Sequence, residues 1–236
     1  METLSQRYFQ VVDRIRIDCE AAGRDPNTVH LLAVSKTRSA ADVCALATLG
    51  QRDFAENYLQ EALDKISTCA NDQLCWHFIG PIQSNKTRDI ATSFSWVHSV
   101  DRAKIAQRLN DQRPTHLPPL NICIQVNIDD EDSKSGVSLL DVTALAEHIA
   151  NLPRLQLRGL MAIPRADSDD NNRAAFDKLA MTLSSLRHTI AISDVDKGKV
   201  ALLDTLSMGM SGDFGSAIAA GATHVRIGTA LFGPRQ

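Results

Sequence analysis

The sequence predicts an α/β fold, a (β/α)8 TIM barrel with an extra helix at its amino end. Three observations lead there. Eight short apolar runs recur along the 236 residues, and helix-patterned stretches fill most of the intervals. Strand–helix–strand repetition of this kind implies parallel pairing with right-handed crossovers. Eight such units in a chain of this length suit one closed barrel. An open dinucleotide-binding sheet is the alternative, but no GxGxxG follows the first strand. The reading is therefore a single barrel domain over residues 1–236.

Taken in order, residues 1–20 (METLSQRYFQVVDRIRIDCE) read as an amphipathic helix, with Asp13, Arg14, Arg16 and Asp18 among its apolar residues. The strands are 31–36 (LLAVSK), 53–57 (DFAEN), 75–80 (CWHFIG), 95–100 (SWVHSV), 120–128 (LNICIQVNI), 157–163 (LRGLMAI), 203–208 (LDTLSM) and 223–228 (THVRIG). Helix patterns cover 40–49, 58–66, 101–110, 138–152, 172–190 and 214–221, with a weaker one at 84–91. The proline-rich 111–120 reads as a loop into the fifth strand. Acidic 164–172 follows the sixth strand and belongs at the rim, and 193–199 is a further polar loop.

Composition narrows the function classes. Net charge is −3 and there is no long basic run, which argues against nucleic acid and anionic membranes as partners. No stretch of 18 apolar residues and no signal peptide is evident, so the expected location is cytoplasmic. Cys19, Cys44, Cys69, Cys75 and Cys123 are odd in number and lack CxxC spacing, the usage of a reduced compartment. The seven histidines show no HExxH-like spacing, and no metal is expected.

Lys36 is the first candidate for chemistry, because it closes an apolar run. Burial lowers an amine's pKa, and a neutral amine attacks carbonyls to give a Schiff base. The competing reading is a strand-end lysine snorkelling into solvent. In a barrel, chemistry gathers at the carboxyl ends of the strands, and phosphate commonly binds the loops after strands seven and eight. There, 207–221 (SMGMSGDFGSAIAAG) offers Ser211 as a cap for the following helix. Gly209, Gly212 and Gly215 would let backbone amides approach an anion. Gly228 and Thr229 offer a second amide-rich turn with a hydroxyl. Ordinary glycine turns are the alternative. Strand alternation puts His224, Arg226 and Gly228 on one face and aims Arg226 into the barrel. The alternative for Arg226 is a structural ion pair, for example with Glu56.

These residues lie within longer motifs. The segment 76–90 (WHFIGPIQSNKTRDI) closely resembles the signature of the pyridoxal 5′-phosphate homeostasis proteins. So do 31–36, 54–65 (FAENYLQEALDK), 125–137 (QVNIDDEDSKSGV), 157–164, 205–211 (TLSMGMS) and 226–233 (RIGTALFG), in order along nearly the whole chain. The resemblance implies an alanine-racemase-like barrel, fold type III among pyridoxal phosphate (PLP) binders. It implies that Lys36 forms the internal aldimine, that Arg226 faces the pyridine nitrogen, and that Ser211, Gly228 and Thr229 cradle the phosphate. Asn57 and His77 match positions around the cofactor pocket. Ala55 stands where many relatives have glycine, and Gly212 where many have a second acidic residue. Neither departure removes a group that bonds the cofactor.

The function implied is PLP homeostasis: holding PLP on Lys36 and delivering it to apo-enzymes, without robust catalysis. An arginine at the pyridine nitrogen donates and cannot keep that nitrogen protonated, which weakens the ring as an electron sink. Racemases of this fold also use a tyrosine from an additional β domain, whereas this chain ends at Gln236 and holds only Tyr8 and Tyr58. The alternative is a PLP-dependent racemase-like enzyme; a Schiff-base aldolase on a phosphosugar is a third reading, against which the long motifs argue. A monomer is expected. Lys134, in the loop after the fifth strand, is either a rim lysine paired with Glu131 or Asp132, or a second amine that relays the aldehyde outward.

Overall fold

The computed structural model describes residues 2–131, 135–165, 172–191 and 202–234. Eight strands run in parallel: β1 (His30–Val34), β2 (Asp53–Glu56), β3 (Cys75–Phe78), β4 (Trp96–Val100), β5 (Leu120–Val126), β6 (Leu155–Ala162), β7 (Thr205–Ser207) and β8 (His224–Ile227). Each pairs with the next, and β8 returns to β1 with Ile227 opposite Ala33, closing the barrel. All eight expected strands are present. The first ends at Val34, so Lys36 stands two residues beyond it, in a turn.

The helices are α1 (Leu4–Ala21), α2 (Ala40–Thr48), α3 (Leu59–Cys69), α4 (Thr87–Ser93), α5 (Ala103–Gln112), α6 (Val142–Ala150), α7 (Arg173–Ala191), α8 (Phe214–Ala219) and α9 (Thr229–Phe232). Capping boxes set two of the starts: Thr3 with Gln6 opens α1, and Ser39 with Asp42 opens α2. The last helix, α9, is a short turn that the sequence reading leaves as loop. The 193–199 loop and most of 164–172 lie outside the described residues.

Alternation along the strands divides the interior into two regions. Phe54, Ile122, Ile124, Val225 and Ile227 point outward and meet Leu46, Ile90, Leu109, Ile149 and Leu179 of the helices, all fully buried. Each such side chain stabilises the fold by about 1.5–3 kcal/mol. The inward side is more polar. Leu32, Val34 and Ala55 form one small cluster, and Trp96, Cys123 and Met161 another. Around Trp96 gather His77, His98 and His224, with ring centroids 5.2–5.5 Å from the indole. Arg158 lies over the same indole at 4.7 Å and pairs with Asp204.

Burial holds His77 below its ordinary pKa, and His98 and His224 well below, so all three are neutral in the fold. Unfolded histidines take up protons near pH ~6.5. Depressed native values mean that this stability is present above that pH and is lost as pH falls toward the native values. The urea midpoint should therefore drop between about pH 7 and pH 5, and less steeply in His98→Gln. A midpoint that stays flat or rises over that range would contradict the buried neutral histidines.

Candidate functional site

The Lys36 turn is held from beneath by a buried cation. Lys65, on α3, is 4% exposed. Its Nζ donates to the Ser35 carbonyl at 2.6 Å, to Glu56 Oε1 at 2.7 Å and to Glu61 Oε1 at 2.5 Å. Ser35 Oγ donates to the same Glu56 oxygen at 2.6 Å. The Thr37 amide, on the other side of Lys36, donates to Glu61 Oε1 at 2.5 Å. Thr37 has φ +62°, a left-handed conformation that costs of order 1–3 kcal/mol for a β-branched residue. The Glu61 acceptor offsets that cost. Lys36 itself is half-buried and lines a cleft with Val34, Thr37, Arg38, Gly228 and Thr229. Arg38 bonds the carbonyls of Gly233 and Pro234, tying the turn to the segment after β8.

The loops after β7 and β8 meet each other. Ser211 Oγ accepts from the Ala230 amide at 3.4 Å, in the first turn of α9. This corrects the expectation that Ser211 caps the following helix. Asp213 occupies the cap position of α8, and its carboxylate accepts from the Met210 amide at 2.6 Å and Asn172 Nδ2 at 2.8 Å. An aspartate two residues nearer the helix takes the loop amide and leaves Ser211 turned toward β8. Gly209 is required where it stands: φ is +91°, and a Cβ would lie 2.6 Å from the Ala217 Cβ. Gly215 is corrected too, since a Cβ there would meet Asp18 of α1 at 3.0 Å, so its smallness serves helix packing. Gly212 faces open space.

Arg226 points into the barrel, as alternation requires. It is 4% exposed. Its guanidinium donates to the Ser207 carbonyl at 2.6 Å, Ser207 Oγ at 2.9 Å and the Ala162 carbonyl at 2.9 Å. The ion pair with Glu56 is not formed; Glu56 belongs to Lys65 and Ser35. Burial pushes Arg226 down to about 10, which leaves it charged at neutral pH.

Asn57 follows β2 at the same end of the barrel. With Ile79, Pro81, Ser99, Asp101, Gln125, Ser135 and Ile163 it lines a cavity of about 340 Å³. Its Oδ1 is buried and has no hydrogen-bond partner. Gly80 packs on the Asn57 backbone so closely that a Cβ would lie 2.2 Å from the Asn57 carbonyl oxygen.

His77 lies apart from these residues. Its Nδ1 meets His98 Nε2 and its Nε2 meets Asp53 Oδ1, both at 3.0 Å, and Asp53 opens β2 at the opposite end of the barrel. Both ring nitrogens are thus engaged in the histidine layer. Asp53, Cys75 and His77 also bring three metal-capable atoms within 4.8 Å of one another. Lys134 lies outside the described residues.

Sequence reasoning missed Lys65, Glu61 and Asp213. The signal for the first two is present in 54–65, where Glu61 and Lys65 sit four apart on one helix face. Nothing in that spacing says that the pair is buried under a neighbouring turn.

The barrel, its lysine-bearing turn and the paired loops after β7 and β8 place the chain among barrels of the alanine racemase type, and residues 13–236 match the family described as "Alanine racemase, N-terminal domain". A pyridoxal phosphate homeostasis protein of Pseudomonas aeruginosa is 56% identical, covering 100% of this chain and 97% of the relative. Its Escherichia coli K12 counterpart is 47% identical, covering 100% and 98%. The solved structure of PipY from Synechococcus elongatus, described with PLP bound, superposes with a TM-score of 0.81 at 31% identity over 98% of this chain and 100% of that one. The chain belongs to the pyridoxal phosphate homeostasis protein family.

The buried clamp yields a stability prediction. Burial raises the Glu56 carboxyl above its ordinary pKa, and the bonds from Lys65 and Ser35 pull the other way. Lys65→Met removes the main counterweight, so that pKa climbs further. A carboxyl raised above its unfolded value contributes most below the unfolded pKa and loses that contribution as pH rises through the folded one. The variant should lose about 3–5 kcal/mol near neutral pH and less near pH ~5, measured by urea unfolding. Equal losses at both pH values would contradict an uncompensated Glu56.

Proposed function

We propose that this protein binds PLP through Lys36 and serves the supply of that cofactor to other enzymes in the cytoplasm, without turning over amino acids itself. One observation carries the reading: Lys36, Gly228 and Thr229 line a single cleft at the carboxyl end of the barrel. The names of the relatives and the PLP described in PipY point to the same ligand. The residues present fit the group. A phosphate takes hydrogen bonds from hydroxyls and backbone amides, and Ser211 and the α9 turn bring both together. The buried, unpartnered Asn57 Oδ1 is an acceptor in want of a donor, such as a ring hydroxyl.

When bound, PLP supplies a reactive aldehyde and an electron-withdrawing ring. The chain's own residues would divide the work of holding it. Lys36 presents the amine from a turn fixed on both sides by Lys65 and Glu61. Ser211, Gly228 and Thr229 receive the phosphate. Arg226, spread across β6 and β7 and charged at neutral pH, acts only as a donor. No acid is then supplied to the ring from that side, which supports storage over catalysis. Neither tyrosine supplies an opposing acid/base: Tyr8 is buried in α1, and Tyr58 is 56% exposed. His77, with both nitrogens engaged below, contributes to the floor of the site at most through its neighbours. Among the described residues no helix is long and apolar enough to cross a membrane.

Borohydride trapping of the PLP-loaded protein followed by peptide mapping should place the label on Lys36; label on another lysine would overturn the assignment. Added L- or D-alanine should exchange its α-proton no faster than with free PLP, and faster exchange would favour the racemase reading. Ser211→Ala combined with Thr229→Ala should weaken PLP binding at least about tenfold more than binding of unphosphorylated pyridoxal, since hydrogen bonds to a charged group are worth about 1.5–3 kcal/mol. Equal weakening of both ligands would show that these hydroxyls do not read the phosphate.

A further inference from the structure

The clamp beneath Lys36 ends in a thiol. Glu61, Lys65 and Cys69 follow one another at four-residue steps along α3 and so share one helix face. Two of them hold the backbone on either side of Lys36. The third meets a cysteine of α2: Cys69 Sγ and Cys44 Sγ are 2.9 Å apart, and both residues are half-buried. Cys44 lies on the first helix after the Lys36 turn. The remaining three cysteines are scattered, with Cys19 on α1, Cys75 opening β3 and Cys123 inside the barrel.

We propose that Cys44 and Cys69 form a reversible intramolecular disulfide that staples α2 to α3 and locks the Lys36 turn between them. The inference stands on the sulfur–sulfur contact and the α3 stripe, and does not depend on which ligand the cleft takes. The oxidant is a hydroperoxide, with hydrogen peroxide as the probe. One sulfur of the pair attacks one peroxide oxygen; the O–O bond breaks, and the displaced hydroxide takes that thiol's proton, giving a sulfenic acid and water. The other sulfur then attacks the oxidised one. The S–S bond forms, the S–O bond breaks, and the hydroxyl leaves as water with the second thiol's proton. Two electrons pass from the two thiols to the peroxide. Cys19, Cys75 and Cys123 lie on other elements, and burial raises their thiols.

The consequence reaches the site through α3. A staple at Cys69 restrains the helix that delivers Glu61 to the Thr37 amide and Lys65 to the Ser35 carbonyl. Opening of that turn then has to work against the crosslink.

The test treats the full-length protein with hydrogen peroxide and reads intact mass, peptide map and amide exchange. The expected result is loss of two hydrogens, a single Cys44–Cys69 linked peptide, reversal by dithiothreitol, and several-fold slower exchange at Thr37 than in the reduced protein. Cys44→Ser, which keeps a polar group of similar size, should abolish the mass loss and the slowing. A linked peptide involving any other cysteine, oxygen addition in place of hydrogen loss, or mass loss that persists in Cys44→Ser would overturn the site. A Cys44–Cys69 linkage with unchanged Thr37 exchange would overturn its coupling to Lys36.

Discussion

A buried lysine, Lys65, holds up the turn on which Lys36 stands. Lys65 reaches across from α3 to a carbonyl of the Lys36 turn and to two carboxylates, and it does so almost without solvent. A charge so placed is tolerated only with full pairing and good geometry. That requirement fixes the distance between α3 and the end of β1 within narrow limits. It also fixes Thr37 in a conformation that a β-branched residue avoids when free. Lys36 thus projects from a backbone with little freedom to drift, which suits the covalent role proposed for it.

The opposite wall of the cleft is built with different means. Ser211 and the α9 turn join the β7 and β8 loops, Asp213 ties the β7 loop to Asn172 just before α7, and Arg226 lies across Ser207 and Ala162. Three adjacent strands are thereby pinned by one buried guanidinium. Its planar fork meets two carbonyls and a hydroxyl at once, a task a lysine ammonium performs less well. The arginine is structural whatever ligand lies above it.

The barrel is legible in the sequence because each strand is short, apolar and followed by a helix pattern, and parallel order leaves few other solutions. The direction of Arg226 is legible for the same reason: a period of two on β8 places Val225 and Ile227 outside and leaves Arg226 no other side. What depends on contacts between distant elements is not legible. Lys65 on an amphipathic helix reads as a solvent-facing charge until β1 and β2 are folded beside it. Ser211 is a residue type that favours caps, and only the position of β8 turns it away from α8. Gly215 reads as part of a glycine-rich anion loop until α1 is seen against it. His77 carries a family motif but spends both nitrogens inside the barrel, on Asp53 and His98, where no linear spacing announces a partner.

The most direct test is a crystal structure of the protein grown with PLP. The account predicts continuous density from Lys36 Nζ to the ligand and a phosphate between Ser211 and the Gly228–Thr229 turn. It also predicts that the Lys65 contacts to Ser35, Glu56 and Glu61 are retained. Density joined to a different lysine, or a phosphate seated away from the β7 and β8 loops, would contradict it.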